Sequence, residues 1–410
     1  MTPRDIVWHC DADAFFAACH VATEPTLGGR PLVVGGDPKT RHGIVLTATY
    51  EARRFGVKTA MPLGQALRLC PELTVLPPNG VLYQQFSQRL RGIWDEFSPL
   101  VEPASIDEAW LDVGRGALSR FGDDPVAGAR ALKERVRQEL SLTVSVGVST
   151  NKMLAKQASD MDKPDGLTVL FPSDVPARLW PLDVGALYGI GPRRAERLRG
   201  VGIHTIGDLA QADHDVVIGA CGSTASLLQT RAQGVDETPV RAPVAGEEQS
   251  ISVERTLPRD VASVEDAEPY LLALAEQLAS RLARHGRWGQ TVILKYKTAA
   301  FVLHTRQTTL PTPTRDRDRL YRAACALFKA RPHGDAVRLL GLGVSHLKRA
   351  PGDLFETDRA ETLDRVVESI RQRYGQGAIG TAGSARLTES PSTFRHNEEE
   401  PPPSNAGRPK

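Results

Sequence analysis

Apolar runs and amphipathic stretches take turns over the first 170 positions. Ile6-Val7-Trp8-His9-Cys10 predicts a short buried strand, and Ala14 to Cys19 a helix start. Residues 31–36 and Gly43 to Thr49 predict two further strands, and Tyr50 to Phe55 a helix closed by Gly56. Met61 to Leu69 predicts a helix with Pro62 in its first turn, and residues 81–97 an amphipathic helix. Leu100 to Leu111 predicts strand, turn, strand around Ser105-Ile106-Asp107-Glu108. Asp124 to Leu140 reads as a helix, and Leu142 to Val148 as a buried strand. Ser149-Thr150-Asn151 offers a cap for the helix that follows. Strands alternating with helices predict an α/β first domain.

The pattern changes near residue 180. Residues 180–240 hold short helical pieces divided by Gly-rich turns, and residues 241–248 read as a linker. Between 250 and 350, two helices (265–284 and 315–330) lie among strands such as Thr291–Tyr296 and Val337–Val344, an α+β pattern. One more helix is expected over 360–374. Beyond Arg386 the composition of Pro, Glu, Ser and Asn predicts disorder.

Composition narrows the class. A chain of 410 residues with 41% hydrophobic and 24% charged residues has room for two to four folded domains. No apolar run approaches the ~20 residues of a membrane helix. Met-Thr-Pro-Arg-Asp opens straight into a strand and lacks a signal peptide's regions. Cys10, Cys19, Cys70, Cys221 and Cys325 are scattered, with no CxxC. A cytoplasmic protein without disulfides is expected. The net charge of +2 (51 Lys+Arg, 49 Asp+Glu) argues against a polybasic chain, but it is an average. Residues 251–350 hold 17 Lys+Arg against 9 Asp+Glu, a net of +8, which leaves −6 for the rest. A basic domain beside an acidic one suits a phosphate backbone.

Two acidic clusters stand at strand ends: Asp11 with Asp13, and Asp107-Glu108. Carboxylates brought together repel and raise one another's pKa. Divalent cations relieve that, and oxygen ligands suit Mg²⁺. Two ions about 3.5–4 Å apart serve polymerases and nucleases. The plainer reading makes these residues turn formers or caps. Asp107 and Glu108 would also point to opposite faces of a regular strand, so both reach one site only from a turn or a distorted strand end. Spacing alone leaves the two readings open.

The surrounding words carry more. Asp11-Ala-Asp-Ala-Phe-Phe-Ala, Thr47-Ala-Thr-Tyr-Glu-Ala-Arg-Arg-Phe-Gly-Val, Ser105-Ile-Asp-Glu-Ala-Trp-Leu-Asp, Ser149-Thr-Asn-Lys-Met-Leu-Ala-Lys and Lys163-Pro-Asp-Gly resemble, in order and spacing, the Y-family DNA polymerases, most of all the DinB branch. The likeness runs from residue 5 to about 350. It implies a multidomain α/β and α+β right-hand polymerase: a palm over 1–168 with fingers inserted at about 18–80, a helical thumb over 169–240, a linker over 241–250 and a little finger over 251–350. A segment over 351–385 and a disordered tail over 386–410 complete it.

The resemblance implies roles for single residues. Asp11 and Asp107 match the carboxylates that bridge two Mg²⁺ ions, and Glu108 the one that prepares the primer 3′-hydroxyl. The Ala12 carbonyl would complete the nucleotide-side ion, with Asp13 supporting. Tyr50 and Arg53, three apart and so on one helix face, match triphosphate contacts, and Thr47 and Lys163 neighbouring ones. Phe16 matches the aromatic gate that rejects a 2′-hydroxyl; by itself it reads as a core aromatic. The chain departs from the pattern at Ala12, His20 (usually acidic) and Trp110 (frequently Tyr).

Leu187-Tyr-Gly-Ile-Gly-Pro-Arg-Arg resembles a helix–hairpin–helix, with Gly189, Gly191 and Arg193 placed for a DNA phosphate. Pro351-Gly-Asp-Leu-Phe-Glu resembles a sliding-clamp-binding peptide with Leu354 and Phe355 as anchors, or is a plain connector. The expected protein is a monomeric, template-directed translesion DNA polymerase using dNTP and primer-template DNA, with low fidelity and no proofreading. The alternative is an inactive family member acting as a DNA or clamp adaptor.

Overall fold

The computed structural model describes residues 6–37, 43–114, 116–243, 248–332 and 334–349, with Val366 and Ile370. The helix expected over 360–374, the peptide with Leu354 and Phe355 and the tail over 386–410 lie outside the described residues. Leaving aside residues 37–42, the chain forms two compact units that meet in sequence at Pro243 and Val244.

The first unit opens with β1 (Val7–Ala12), α1 (Phe15–Thr23), β2 (Leu32–Gly35), β3 (Val45–Ala48), α2 (Tyr50–Arg54), α3 (Leu63–Leu69), β4 (Thr74–Leu76) and α4 (Gly80–Phe97). It continues with β5 (Leu100–Pro103), β6 (Glu108–Asp112), α5 (Pro125–Leu140), β7 (Val144–Ser149), α6 (Lys152–Met161) and β8 (Leu167–Val169). Four short helices follow: α7 (Pro192–Gly200), α8 (Ile206–Gln211), α9 (His214–Cys221) and α10 (Ala225–Ala232).

Five strands make the central sheet in the order β5-β6-β1-β7-β8. Only β7 and β8 run parallel; the other neighbours are antiparallel. The alternation of strands and helices along the chain therefore builds a mixed sheet rather than a parallel one. β1 at its centre is covered on both faces, which is why it reads as an unbroken run. Trp8 packs on the α5 side, where a Cβ on Gly128 would come within 2.9 Å of its ring. His9 faces α6, bonding Ser159. Period-two alternation then carries Asp11 to the same face as His9.

On that face Gly147 registers beside His9. It has no room for a side chain: a Cβ there would lie 1.9 Å from the Ala155 carbonyl oxygen and 2.5 Å from the Ser159 nitrogen. The missing side chain lets α6 settle onto β7. Asn151 caps α6 by accepting from the Leu154 amide at 2.8 Å. Met153, Leu154 and Ala158 of α6 join a second core with Leu179, Leu198, Leu209 and Leu228 of the helical segment. A small sheet, β3-β2-β4, packs α2 and α3 around Val33, Val45 and Leu63.

The second unit comprises β9 (Ser250–Val261), α11 (Val264–Arg284), β10 (Gly289–Thr298), β11 (Leu303–Thr314), α12 (Arg317–Lys329) and β12 (Val337–Ser345). Its antiparallel sheet has the order β11-β10-β12-β9. Val292, Leu294 and Tyr296 alternate inward to meet Leu274, Leu278, Leu320 and Phe328 of the two helices.

Candidate active site

The central sheet brings the two acidic clusters to one end. Asp11 lies opposite Glu108 on β6 and Ser145 on β7. Glu108 is the first residue of β6, while Asp107 stands in the bend before it. In that bend Asp107 leaves the strand's regular alternation: its carboxylate bonds Ser105, while Glu108 meets Asp11 and His9. Several bonds fix the bend. The Ala12 amide donates to the Asp107 carbonyl at 3.0 Å, and the Ala104 amide to the Glu108 carbonyl at 2.9 Å. Ser87 of α4 donates to the Ile106 carbonyl at 2.5 Å. The Ser105 hydroxyl donates to the Asp107 carboxylate at 2.5 Å.

Two lysines answer this charge. Lys156 Nζ lies 2.9 Å from both Asp11 and Glu108, and Lys163 Nζ lies 2.7 Å from Asp11. Both also reach Asp160, one turn after Lys156. Burial pushes the Asp11 carboxyl up, but Lys156 and Lys163 overcome it and hold the group down at about 2. Glu108 has Lys156 alone, so burial wins and its carboxyl stands above the ordinary range. Asp107 is raised as well, by burial and by Asp11, against the Ser105 bond.

His9 lies fully buried beneath the pair. Its Nδ1 is 2.9 Å from Ser159 Oγ, whose proton is given to the Lys156 carbonyl. The imidazole proton therefore sits on Nδ1. Nε2 lies 3.5 Å from Glu108 and has no hydrogen-bond partner among the described residues. Burial, then Lys156, keep this ring well below its usual pKa.

Asp13 has a different task. It is buried and accepts from Thr143, Ser145 and the Asp165 amide at 2.8–2.9 Å. Lys133 of α5 donates to the carbonyls of Val144, Asp165 and Gly166 at 2.7–3.0 Å. Together they fasten the loop that carries Lys163 to the sheet.

The expected nucleotide contacts lie around the same end. Tyr50 opens α2, and the Arg53 guanidinium sits 4.5 Å from its ring centre while donating to the Ala48 carbonyl at 3.0 Å. Burial, then the charge on Asp13, raise the Tyr50 phenol, while Arg53 and Lys163 oppose them. This phenol thus feels both the acids and the lysine. Thr47 is half-buried on β3 beside Ala48. Phe16 is in the first turn of α1, stacked on Tyr83 of α4 with ring centres 4.1 Å apart.

The hairpin before α7 also takes shape. Gly189 has φ +99°, a value open to glycine, and a Cβ there would strike Arg231 at 2.7 Å. Gly191 is the N-cap of α7 at φ −83°, so open space rather than backbone conformation distinguishes it. Pro192 takes the first helical position. Gly191, Pro192, Arg193, Arg194 and Arg197 line an open cavity of ≈ 540 Å³. Arg194 is turned inward to the Gly189 carbonyl at 2.7 Å, leaving Arg193 exposed.

The chain is similar to known proteins over most of its length. Family models match residues 10–160 (impB/mucB/samB family), 172–203 (IMS family HHH motif) and 248–355 (impB/mucB/samB family C-terminal domain). "DNA polymerase IV" of Moorella thermoacetica is 44% identical over 381 residues, 92% of this chain and 95% of that protein. "DNA polymerase IV 1" of Bacillus subtilis is 36% identical over 393 residues, 94% of each. The chain belongs to the Y family of DNA polymerases. A solved Y-family DNA polymerase chimera of Dbh and Dpo4 superposes with a TM-score of 0.74 at 29% identity, covering 83% of this chain and 98% of that one.

Within this DinB-type Y-family chain, the basic second unit distributes its charge unevenly. Lys295 and Lys297 point away from the helices, Lys295 paired with Glu254 at 2.7 Å. Arg306 and Arg255 register opposite Leu294 and Leu340, on the helix-covered face. The +8 is thus no single stripe. No helix among the described residues is long and apolar enough to cross a membrane.

The sequence reading gave no role to Lys156, His9 or Tyr83. For Lys156 a signal existed: Lys156, Asp160 and Lys163 fall at i, i+4 and i+7. His9 is two residues before Asp11 on one strand, so it had to share a face. Tyr83 gave no local signal, because its partners are over 60 positions away.

Proposed function

We propose that this chain is a template-directed DNA polymerase of the translesion type, transferring a nucleotide from dNTP to a primer 3′-hydroxyl. The observation that carries this reading is the meeting of Asp11 and Glu108 at one sheet end, with His9 beneath them, Asp107 in the adjoining bend, and Lys163 and Tyr50 close by. The donor set fits divalent cations: all-oxygen carboxylates, two of them above their usual pKa, with a buried His9 Nε2 left unpartnered beside Glu108. Asp11, Asp107, Glu108 and the Ala12 carbonyl would hold two Mg²⁺ ions, which supply charge neutralisation at the reacting phosphate.

The chain's own groups do the rest. Lys163, Arg53, Tyr50 and Thr47 hold the triphosphate, whose charge shifts as the α-phosphorus gains the primer oxygen and releases pyrophosphate. Glu108 orients the primer hydroxyl. Phe16 lies under the sugar and excludes a 2′-oxygen. Phe16→Ala raises ribonucleotide insertion by about fivefold to a hundredfold, since an unpaired, sterically opposed hydroxyl costs ~1–3 kcal/mol. An unchanged ratio of ribo- to deoxynucleotide insertion refutes that role.

At the α7 cavity the reading is phosphate contact without sequence preference. Arg193→Ala weakens primer-template binding by a similar factor on unrelated sequences and lowers the salt slope by about 1. Binding titrations at several salt concentrations check this; an unaltered slope removes Arg193 from the interface. The reading as a whole is tested by primer extension opposite undamaged and damaged templates. An inactive adaptor extends neither.

A further inference from the structure

Phe16 and His20 both belong to α1, one turn apart, so they lie on one face of that helix. A single residue of α4, Tyr83, covers them both. Its ring stacks on Phe16 at 4.1 Å and an interplanar angle of 11°. Its hydroxyl is 2.9 Å from His20 Nε2, and the His20 ring meets it edge-on at 76°. Phe15 adds a tilted contact at 6.4 Å. Tyr83 is buried, while Phe16 and His20 are half-buried.

The two contacts differ in what they fix. Stacked rings resist separation but slide and rotate cheaply, because dispersion depends weakly on lateral offset. A hydrogen bond has a preferred direction. The stack keeps Tyr83 against Phe16, and the hydroxyl bond adds a direction that fixes its place along the stack. Burial lowers the His20 pKa, with Glu24 opposing, so the imidazole partner is neutral at pH 7.

We propose that His20 is a positioning residue for sugar selection: through its bond to the Tyr83 hydroxyl it fixes the ring that backs Phe16. This rests on Phe16 being the gate. A gate excludes an oxygen atom only if its own plane cannot retreat by a fraction of an ångström. Phe16 has no polar atom with which to hold itself, so its rigidity comes from packing, with the Tyr83 stack its nearer ring contact and His20 acting at one remove.

The test is single-nucleotide insertion with matched deoxy- and ribonucleotides by the full chain and its variants. Tyr83→Phe keeps the stack and removes only the bonding oxygen. His20→Leu removes the partner. Each lowers the deoxy-to-ribo ratio of kcat/KM about fivefold, the equivalent of one net hydrogen bond. The double variant loses no more than either single one, and deoxynucleotide insertion stays within about twofold. His20→Gln, which still reaches the hydroxyl, restores most of the ratio; a purely structural role would give no such rescue.

Phe16→Ala runs alongside. If it raises ribonucleotide insertion while Tyr83→Phe and His20→Leu leave the ratio unchanged, the role of His20 is overturned and the gate stands. If Phe16→Ala itself changes nothing, the gate reading falls, and this inference with it. Additive losses in the double variant also overturn the proposal, because the two residues would then act separately.

Discussion

Asp107→Ala loses primer extension by about 10³-fold or more while keeping its affinity for primer-template DNA. The size follows from charge. A carboxylate that would hold the cations neutralising a reacting phosphate is worth several kcal/mol, and each ~1.4 kcal/mol is a factor of ten. The selectivity follows from place. Asp107 stands in the bend before β6 and bonds only Ser105 with its side chain among the described residues. The Arg193 cavity lies elsewhere in the unit, on α7. Removing a carboxyl that burial and Asp11 hold above its usual range also costs the fold nothing at neutral pH. The fold should therefore be as stable as before or slightly more so. Normal extension by this variant would sink the polymerase assignment. Loss of DNA binding in parallel would show that the residue holds the fold instead.

The second large effect concerns a residue with no side chain at all. Gly147→Ala destabilises the first unit by more than about 3 kcal/mol, the upper end for overpacking, because its contacts are backbone rather than yielding side-chain tips. The added carbon would stand 1.9 Å from the Ala155 oxygen. Either β7 or α6 must move, and α6 carries Lys156 and Ser159. A melting temperature lower by roughly 10 °C is expected, at ~2–4 °C per kcal/mol for a unit of this size. Extension should fall too, since Lys156 leaves Asp11 and Glu108. Gly92→Ala is the control. It sits mid-helix in α4 with nothing within 4 Å, and alanine there should stabilise by about 0.5–1 kcal/mol. Equal melting temperatures for the two variants would show that α6 can lift off at no cost.

Much of this arrangement was legible beforehand, for identifiable reasons. Helix caps are local chemistry, so Asn151 and Asp124 marked α6 and α5 within a residue. Pro62 was expected inside its helix and is instead the cap of α3, because φ −57° with ψ 133° is already extended. Adjacent acids on a strand require a turn or a distorted strand end to share a site, and a bend is found before Glu108. What could not be read is what depends on distant pairing. The antiparallel bias of the central sheet is set by which strands meet, and local patterns carry no record of that. Lys156 has carboxylate partners only because β1 and β6 bring Asp11 and Glu108 beside α6. The stack of Tyr83 on Phe16 needed α4 to cross α1.

Lys163 belongs to a loop by name only. Asp13 grips that loop through the Asp165 amide, and Lys133 grips it through the Asp165 and Gly166 carbonyls. Both anchors come from the sheet or the helix behind it, so the lysine's backbone is set when the sheet forms. If Lys163 holds the triphosphate as proposed, its backbone support is already ordered, and the encounter carries little further loss of freedom. Adaptation of this enzyme to unusual nucleotides has little room on that side.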